Sequence, residues 1–191
     1  MVRLRNRLTG WLNGRGIRRS HMFTLGRQRE KEHSHQYLKS QDEAWRIDAV
    51  IDAVHDLLDG TSSVEAVTSA FVEAFTNGGS GAWEQAGSWL GKVSQSHSFL
   101  AELWRQFSRH PSARVRFRAA AFLNEMPDAI FAESFPALLT DASARVRSKT
   151  ASDQFGSKDP KVHAILTARL PVEKDETVRE AITFALNYTQ P

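Results

Sequence analysis

The sequence predicts an all-α chain in which antiparallel helix hairpins stack side by side as an α-solenoid, and three observations carry that prediction. The string Ser112-Ala113-Arg114-Val115-Arg116 returns unchanged as Ser143-Ala144-Arg145-Val146-Arg147, 31 residues later. Its phase continues at Asp175-Glu176-Thr177-Val178-Arg179 and, backwards, at Ser80-Gly81-Ala82-Trp83-Glu84, where Trp replaces Val and Glu replaces Arg. A second set of cap-type residues, Ser96, Asp128 and Asp159, recurs 32 and 31 residues apart between members of the first. Behind these lie apolar stripes at i, i+4, i+8: Phe99/Leu103/Phe107, Phe131/Phe135/Leu139 and Val162/Leu166/Leu170. Two capped helical patterns per period make a helix-turn-helix unit, which hides its apolar face only by stacking on a neighbour.

Taken in order, Ser40 with Glu43 forms a capping box ahead of a first helix that carries Ile47, Val50, Ile51, Val54, Leu57 and Leu58 on one face and runs to Gly60. Ser62 with Glu65 opens a second, with Val64, Val67, Phe71 and Phe75, and Asn77-Gly78-Gly79 predicts a left-handed C-cap. The repeat units follow, each first helix capped by Ser80, Ser112, Ser143 or Asp175, whose oxygens can take the orphan N–H groups of the first turn. Pro160 behind Asp159 fits the first helical position, where its missing N–H costs nothing. The total is about nine helices: four hairpins and a terminal helix near 175–188.

Charge is segregated along the 191 residues. Residues 1–39 sum to +8, 40–104 to −8, 105–149 to +4 and 150–191 to −1, which gives the overall +3. The first 21 residues hold six Arg and no acid. There Leu4, Leu8, Trp11 and Leu12 follow helical spacing among Arg3, Arg5 and Arg7, as in a basic amphipathic targeting helix. Ser20-His21-Met22 equally has the form of a cloning scar before a natural initiator, and a disordered native tail is the third reading. Residues 22–39 show no apolar period and read as a linker. The expected organisation is thus a basic leader and linker over 1–39 and a helical domain over 40–191. No apolar run is long enough for a membrane span, and no h-region follows the arginines, which predicts a cytoplasmic protein.

The units around Val115, Val146 and Val178 resemble HEAT-like repeats of the short variety, whose first helix carries an Asp several residues before a Val-Arg pair. Asp141 with Val146-Arg147 matches in full; Val115-Arg116 has His110 at the acidic position and Val178-Arg179 has Glu173. The resemblance covers residues 80–190 and implies a right-handed solenoid. It also implies that Arg116, Arg147 and Arg179 serve a structural inter-repeat ladder. It is silent about activity, because this architecture hosts many functions.

The chemistry-bearing residues are sparse. Zero Cys excludes thiol nucleophiles and zinc-thiolate sites, and no HExxH, phosphate loop or nucleophile elbow occurs. His21, His33 and His35 lack further ligands at helical spacing, so no metal or cofactor is expected, and the chain is read as no enzyme. Asp153 occupies a slot filled by Leu90, Phe122 and Ala185 elsewhere: either a tuned acid facing a groove, or the mark of a helix rotated to bury Ala151 and Phe155. Asp48, Asp52 and Asp56, with Asp59 a turn on, line the first helix opposite its apolar stripe, and no Lys or Arg in 47–91 offsets them. They form a solvated face or a ridge awaiting a basic partner. Trp104 flanks the Phe99 stripe as a candidate surface anchor, with Glu102, Arg105 and Arg109 on the same helix.

Together these residues predict a protein-binding module that engages another, basic protein through its acidic first hairpin or its groove. Such a module looks like bacterial immunity-type proteins that cover a basic toxin. The alternative is a DNA-binding or base-excision protein like the HEAT-repeat glycosylases, with Arg114/Arg145 and Arg118/Lys149 stacking into a stripe that tracks phosphates.

Overall fold

Helical structure begins well before the apolar pattern does. The computed structural model describes residues 26–95 and 97–187, so the readings of the leader over 1–21 lie outside the described residues. Among the described residues it contains ten α-helices and no strand: α1 Arg27–His35, α2 Ala44–Asp59, α3 Val64–Asn77, α4 Ser80–Val93, α5 Ser98–Ser108, α6 Ala113–Ala120, α7 Asp128–Leu139, α8 Ala144–Ser152, α9 Pro160–Arg169 and α10 Glu176–Asn187. The all-α expectation holds, with one helix more than the nine expected. The addition is α1, in the segment read as linker; its sequence, RQREKEHSH, has no hydrocarbon period to detect. No helix among the described residues is long and apolar enough to cross a membrane.

The chain divides into two compact units, residues 1–103 and 104–191. In the first, α2 packs against α1, α3 and α4, and α3 packs against α4. Its core holds Ile47, Val50, Ile51, Val54, Val67, Phe71, Phe75, Trp89 and Leu90, all fully buried, as the apolar faces of α2 and α3 require. The caps differ from expectation in instructive ways. Gln41–Glu43 forms a 3-10 turn, and the Glu43 carboxylate accepts the backbone N–H of Gly79 (2.7 and 2.9 Å). The acid of the expected box thus caps α4 rather than α2. Ser63, not Ser62, caps α3 by accepting Ala66 N–H. The left-handed C-cap is Gly60 (φ 76°) at the end of α2; Gly78 is extended. Gly78 is needed for space: a Cβ there would meet the Ala74 carbonyl and sit 2.8 Å from Ala82 Cβ.

In the second unit, the first helices of successive units, α6, α8 and α10, pack side by side, with α7 against α8 and α9 against α10. Trp104 opens the unit, fully buried, tilted against Phe122 (5.8 Å) and edge-on to Phe107 (6.4 Å). Helix α5 is turned so that Leu100, Leu103, Trp104 and Phe107 are buried while Phe99 is exposed. The surface-anchor expectation for Trp104 is therefore corrected, because Leu100, Leu103, Trp104 and Phe107 form the i, i+3, i+4, i+7 stripe that faces inward.

The ladder expected for Arg116 and Arg147 is present in this unit. Arg116 donates through Nε and Nη2 to both oxygens of Asp141 (2.6 and 3.0 Å), and through Nη1 to the carbonyls of His110 and Pro111 (2.7 and 2.8 Å). Arg147 repeats the pattern with Glu173 (2.9 and 2.8 Å) and the carbonyls of Asp141 and Ala142 (2.8 and 3.2 Å). The acids also cap the helix that follows. Asp141 accepts Ser143 N–H (2.8 Å), and Glu173 accepts those of Lys174 and Asp175 (2.9 and 3.0 Å). His110 Nδ1 accepts Ser112 N–H in the same place (3.1 Å). Ser112 and Ser143, expected to cap with their own side chains, make no such bond. Asp175 and Asp159 do, to Val178 and Lys161 N–H.

Two predictions follow from this packing. Glycine in a helix ordinarily destabilises by about 0.5–1 kcal/mol relative to alanine, but a Cβ on Gly81 would meet the Tyr37 carbonyl and lie 2.8 Å from Leu38 Cα. Gly81→Ala is expected to destabilise the protein by about 1–3 kcal/mol, read as a lower urea midpoint. The Arg147 guanidinium, against the opposing effect of burial and helped by the Asp175 N–H, Arg169 and the Lys174 N–H, holds Glu173 far below the usual glutamate range. Its stabilisation is whole above the unfolded glutamate value, about pH 4.3, and drains away as pH falls from there. Glu173→Ala, which leaves Arg147 without its partner, is expected to cost about 3–5 kcal/mol at pH 7 and to flatten the acid limb of a pH–stability curve.

Candidate functional site: charged faces and the surface they leave

The four carboxylates of α2 were the first candidates. Three are answered within the chain by the face of α1 that carries residues 27, 30, 31, 34 and 35, the spacing of one helical stripe. Arg27 reaches Asp56 (2.5 Å) and Asp52 (3.4 Å), Lys31 reaches Asp52 (2.7 Å), and His35 Nε2 meets Asp48 (2.7 Å). The order is reversed along the two helices, so they run antiparallel. The hydrogen bond to Asp56 raises the pKa of Arg27 against the opposing effect of burial. The ridge is thus no open face: the cations absent from 47–91 come from 27–35. Asp59, the fourth carboxylate, is engaged as well.

Between these pairs Glu30 Oε2 and His55 Nε2 form a short hydrogen bond, both side chains buried. Ser34 is buried one turn on. Glu30 Oε1 and Ser34 Oγ make no hydrogen bond there, so Ser34 lacks the contact with a base that a nucleophile requires. No cluster of three or more His, Cys, Asp or Glu able to hold a metal occurs among the described residues.

The candidates on α5 divide. Glu102 is exposed. Arg105 makes a fork with Glu133 of α7 (2.8 and 2.8 Å), and Arg109 stands 3.8 Å from the same carboxylate. The Arg105 fork lowers the Glu133 pKa. The basic stripe fares worse. Arg118 is 6% exposed, Lys149 is bonded to Asp153 (2.5 Å), and the Arg145 guanidinium lies over the Phe117 ring (4.5 Å). Arg114 is exposed and also engaged. A groove of about 410 Å³ follows α8, lined by Phe117, Ala144, Arg145, Ser148, Lys149, Ser152, Asp175 and Thr177. With Asp175 in its wall and Asp153 on its lysine, it does not present the uniform positive field that phosphates need. Arg118 is corrected as a phosphate contact because its stem and head are buried.

Asp153 ends α8, its carboxylate on Lys149 and its backbone carbonyl on Asn124 Nδ2 (2.7 Å). Burial raises its pKa, with Lys149 opposing. Ala151 is buried as expected, but Phe155 is not: Gln154 turns inward and Phe155 faces solvent. It stacks on Phe184 of α10, ring centroids 5.0 Å apart and planes within 16°, and the two remain 51% and 50% exposed. Sequence spacing alone had no means of finding this pair, since it depends on the register of α8 against α10. On α10, Glu176, Glu180 and Phe184 form one exposed stripe at i, i+4, i+8.

No family model, curated protein or solved structure matches this chain. The likeness to HEAT-like repeats rests on the residues quoted above.

The raised pKa of Asp153 makes its ionisation a cost to the fold that grows as pH rises through the unfolded aspartate range, about 3.9. Asp153→Asn is therefore expected to raise the thermal midpoint at pH 7, with the gain disappearing at pH 3.

Proposed function

We propose that the chain is a non-enzymatic protein-binding module whose second unit stacks its helices as a short solenoid of the HEAT-like kind and meets a partner through the Phe155/Phe184 surface. The side-by-side packing of α6, α8 and α10 and the two Arg-carboxylate rungs support the solenoid reading. One observation carries the functional reading: two phenylalanines from different helices, stacked and half exposed. Apolar area held in water in this way is what the centre of a protein interface offers, and aromatic anchors supply much of the energy there. The neighbouring carboxylates Glu180 and Glu176 suit a partner that sets basic groups beside an apolar side chain. An immunity-type inhibitor of a basic toxin is one form such a module takes; with α1 in place the α2 carboxylates contribute little to it.

The nucleic-acid reading has less support, because Arg118 is buried and Lys149 is paired. Affinity capture with the full chain from its native cells, followed by titration of the captured protein, tests the proposal. Phe155→Ser with Phe184→Ser is expected to weaken that complex by about tenfold or more while the variant still melts cooperatively, at a cost of about 1–4 kcal/mol for the half-buried stacked rings. Equal affinity in the double variant, or salt-dependent duplex DNA binding that Arg114→Glu weakens, would overturn it.

A further inference from the structure

We propose that α1 is a displaceable strap, and that the α2 ridge beneath it receives a basic helix of a partner protein, which enters by exchange with α1. This surface is separate from the Phe155/Phe184 face, and either stands without the other.

Helix α1 has no apolar face to hold it. A helix of nine residues is too short to be stable by itself, and in a folded protein an apolar face normally holds it. The face of α1 turned to α2 is instead Arg27, Glu30, Lys31, Ser34 and His35. The apolar stripe of α2 is left to α3 and α4, which both pack against it. Ion pairs as open to solvent as Arg27 with Asp52 and Asp56, where each side chain is 38–40% exposed, hold a helix only weakly and are screened by salt, which leaves the Glu30–His55 bond as the buried polar link between the two helices.

Docking also has a defect. Glu30 Oε1 and Ser34 Oγ are taken out of water without a hydrogen bond, which opposes the contact. Elements held this way open at the low end of the stability range.

The ridge, by contrast, is well matched to a particular ligand. Asp48, Asp52 and Asp56 stand at i, i+4, i+8, and α1 meets them with cations at the same spacing in antiparallel order. A partner helix with Lys or Arg at those three positions, a carboxylate where α1 has Glu30 and an apolar residue where α1 has Ser34, would keep the ion pairs and the bond to His55 and remove one buried unsatisfied atom. Exchange is needed because α1, tethered by the short segment 36–43, competes at high effective concentration.

The test uses a fluorescent synthetic peptide of residues 26–40 as probe and the full chain as receptor. Arg27→Glu with Lys31→Glu unseats the strap and leaves the ridge intact. Peptide binding to that variant is expected to be at least tenfold tighter than to the unmodified chain, to weaken in 0.5 M salt, and to vanish when Asp52→Asn and Asp56→Asn are added. Absence of binding to a strap variant that melts cooperatively overturns the proposal. Should that variant not fold, hydrogen exchange on the unmodified chain decides: α1 amides at least tenfold less protected than those of α3 support the strap, and equal protection overturns it. A concentration-dependent dimer of the unmodified chain that Arg27→Glu/Lys31→Glu abolishes would assign the exchange to a second copy and overturn the partner.

Discussion

The second unit depends on carboxylates that must satisfy two demands at once. Asp141 and Glu173 sit in the turn before a helix; each accepts backbone N–H groups of the chain entering that helix, and each accepts the guanidinium of an arginine from the unit before. A cap alone contributes about 1 kcal/mol, and a charged hydrogen bond about 1.5–3 kcal/mol. Combining them in one side chain couples the start of a helix to the spacing of two neighbours. The arginine's remaining N–H groups close the loop behind it by binding carbonyls five and six residues upstream. The short helices α6 and α8, eight and nine residues long, have little apolar surface of their own, so this shared geometry fixes their register. His110 keeps the capping half of the task at the position where the others have an acid.

The first unit uses carboxylates in a related way. Glu43 reaches 36 residues along the chain to cap α4 and meets Arg46 (3.4 Å). The acid row of α2 is matched by α1. The segregation of +8 in residues 1–39 against −8 in 40–104 is thus in part an internal pairing. Only α1 takes part in it among the described residues, and the six arginines of the first 21 residues stand outside them.

Which features were legible follows from the kind of force that makes them. Apolar periodicity located α2 to α10, because each buries hydrocarbon at helical spacing. It missed α1, whose inward face is Glu, Ser and cations; the trace it left is a charge period, Arg27/Lys31/His35 mirrored by Asp48/Asp52/Asp56. The 31-residue repeat made Arg116 and Arg147 stand out, and their pairing into rungs was expected only from the resemblance to HEAT-like repeats. Rotational details were not legible. Trp104 and Phe99 are both apolar and about 140° apart around the helix, and packing of Trp104 against Phe122 and Phe107 accompanies the rotation that turns it inward. Caps differed as well: a turn carboxylate two residues upstream takes the Ser143 N–H, while the Ser143 hydroxyl makes no cap bond.

The fate of Phe155 shows how the rungs reach the surface. Its ring and that of Phe184 belong to α8's terminal turn and to α10, and they stack only while those helices keep their spacing. Glu173 sets that spacing, because it binds Arg147 on α8 and caps the entrance to α10 through Asp175 N–H. The exposed aromatic surface is therefore held in part by a buried charge pair. Loss of the rung would let the two rings part without any change in either residue, so a substitution remote from the surface alters it through register. Where charges are so largely committed to one another among the described residues, what is left facing solvent is set by where those commitments place the few exposed apolar side chains.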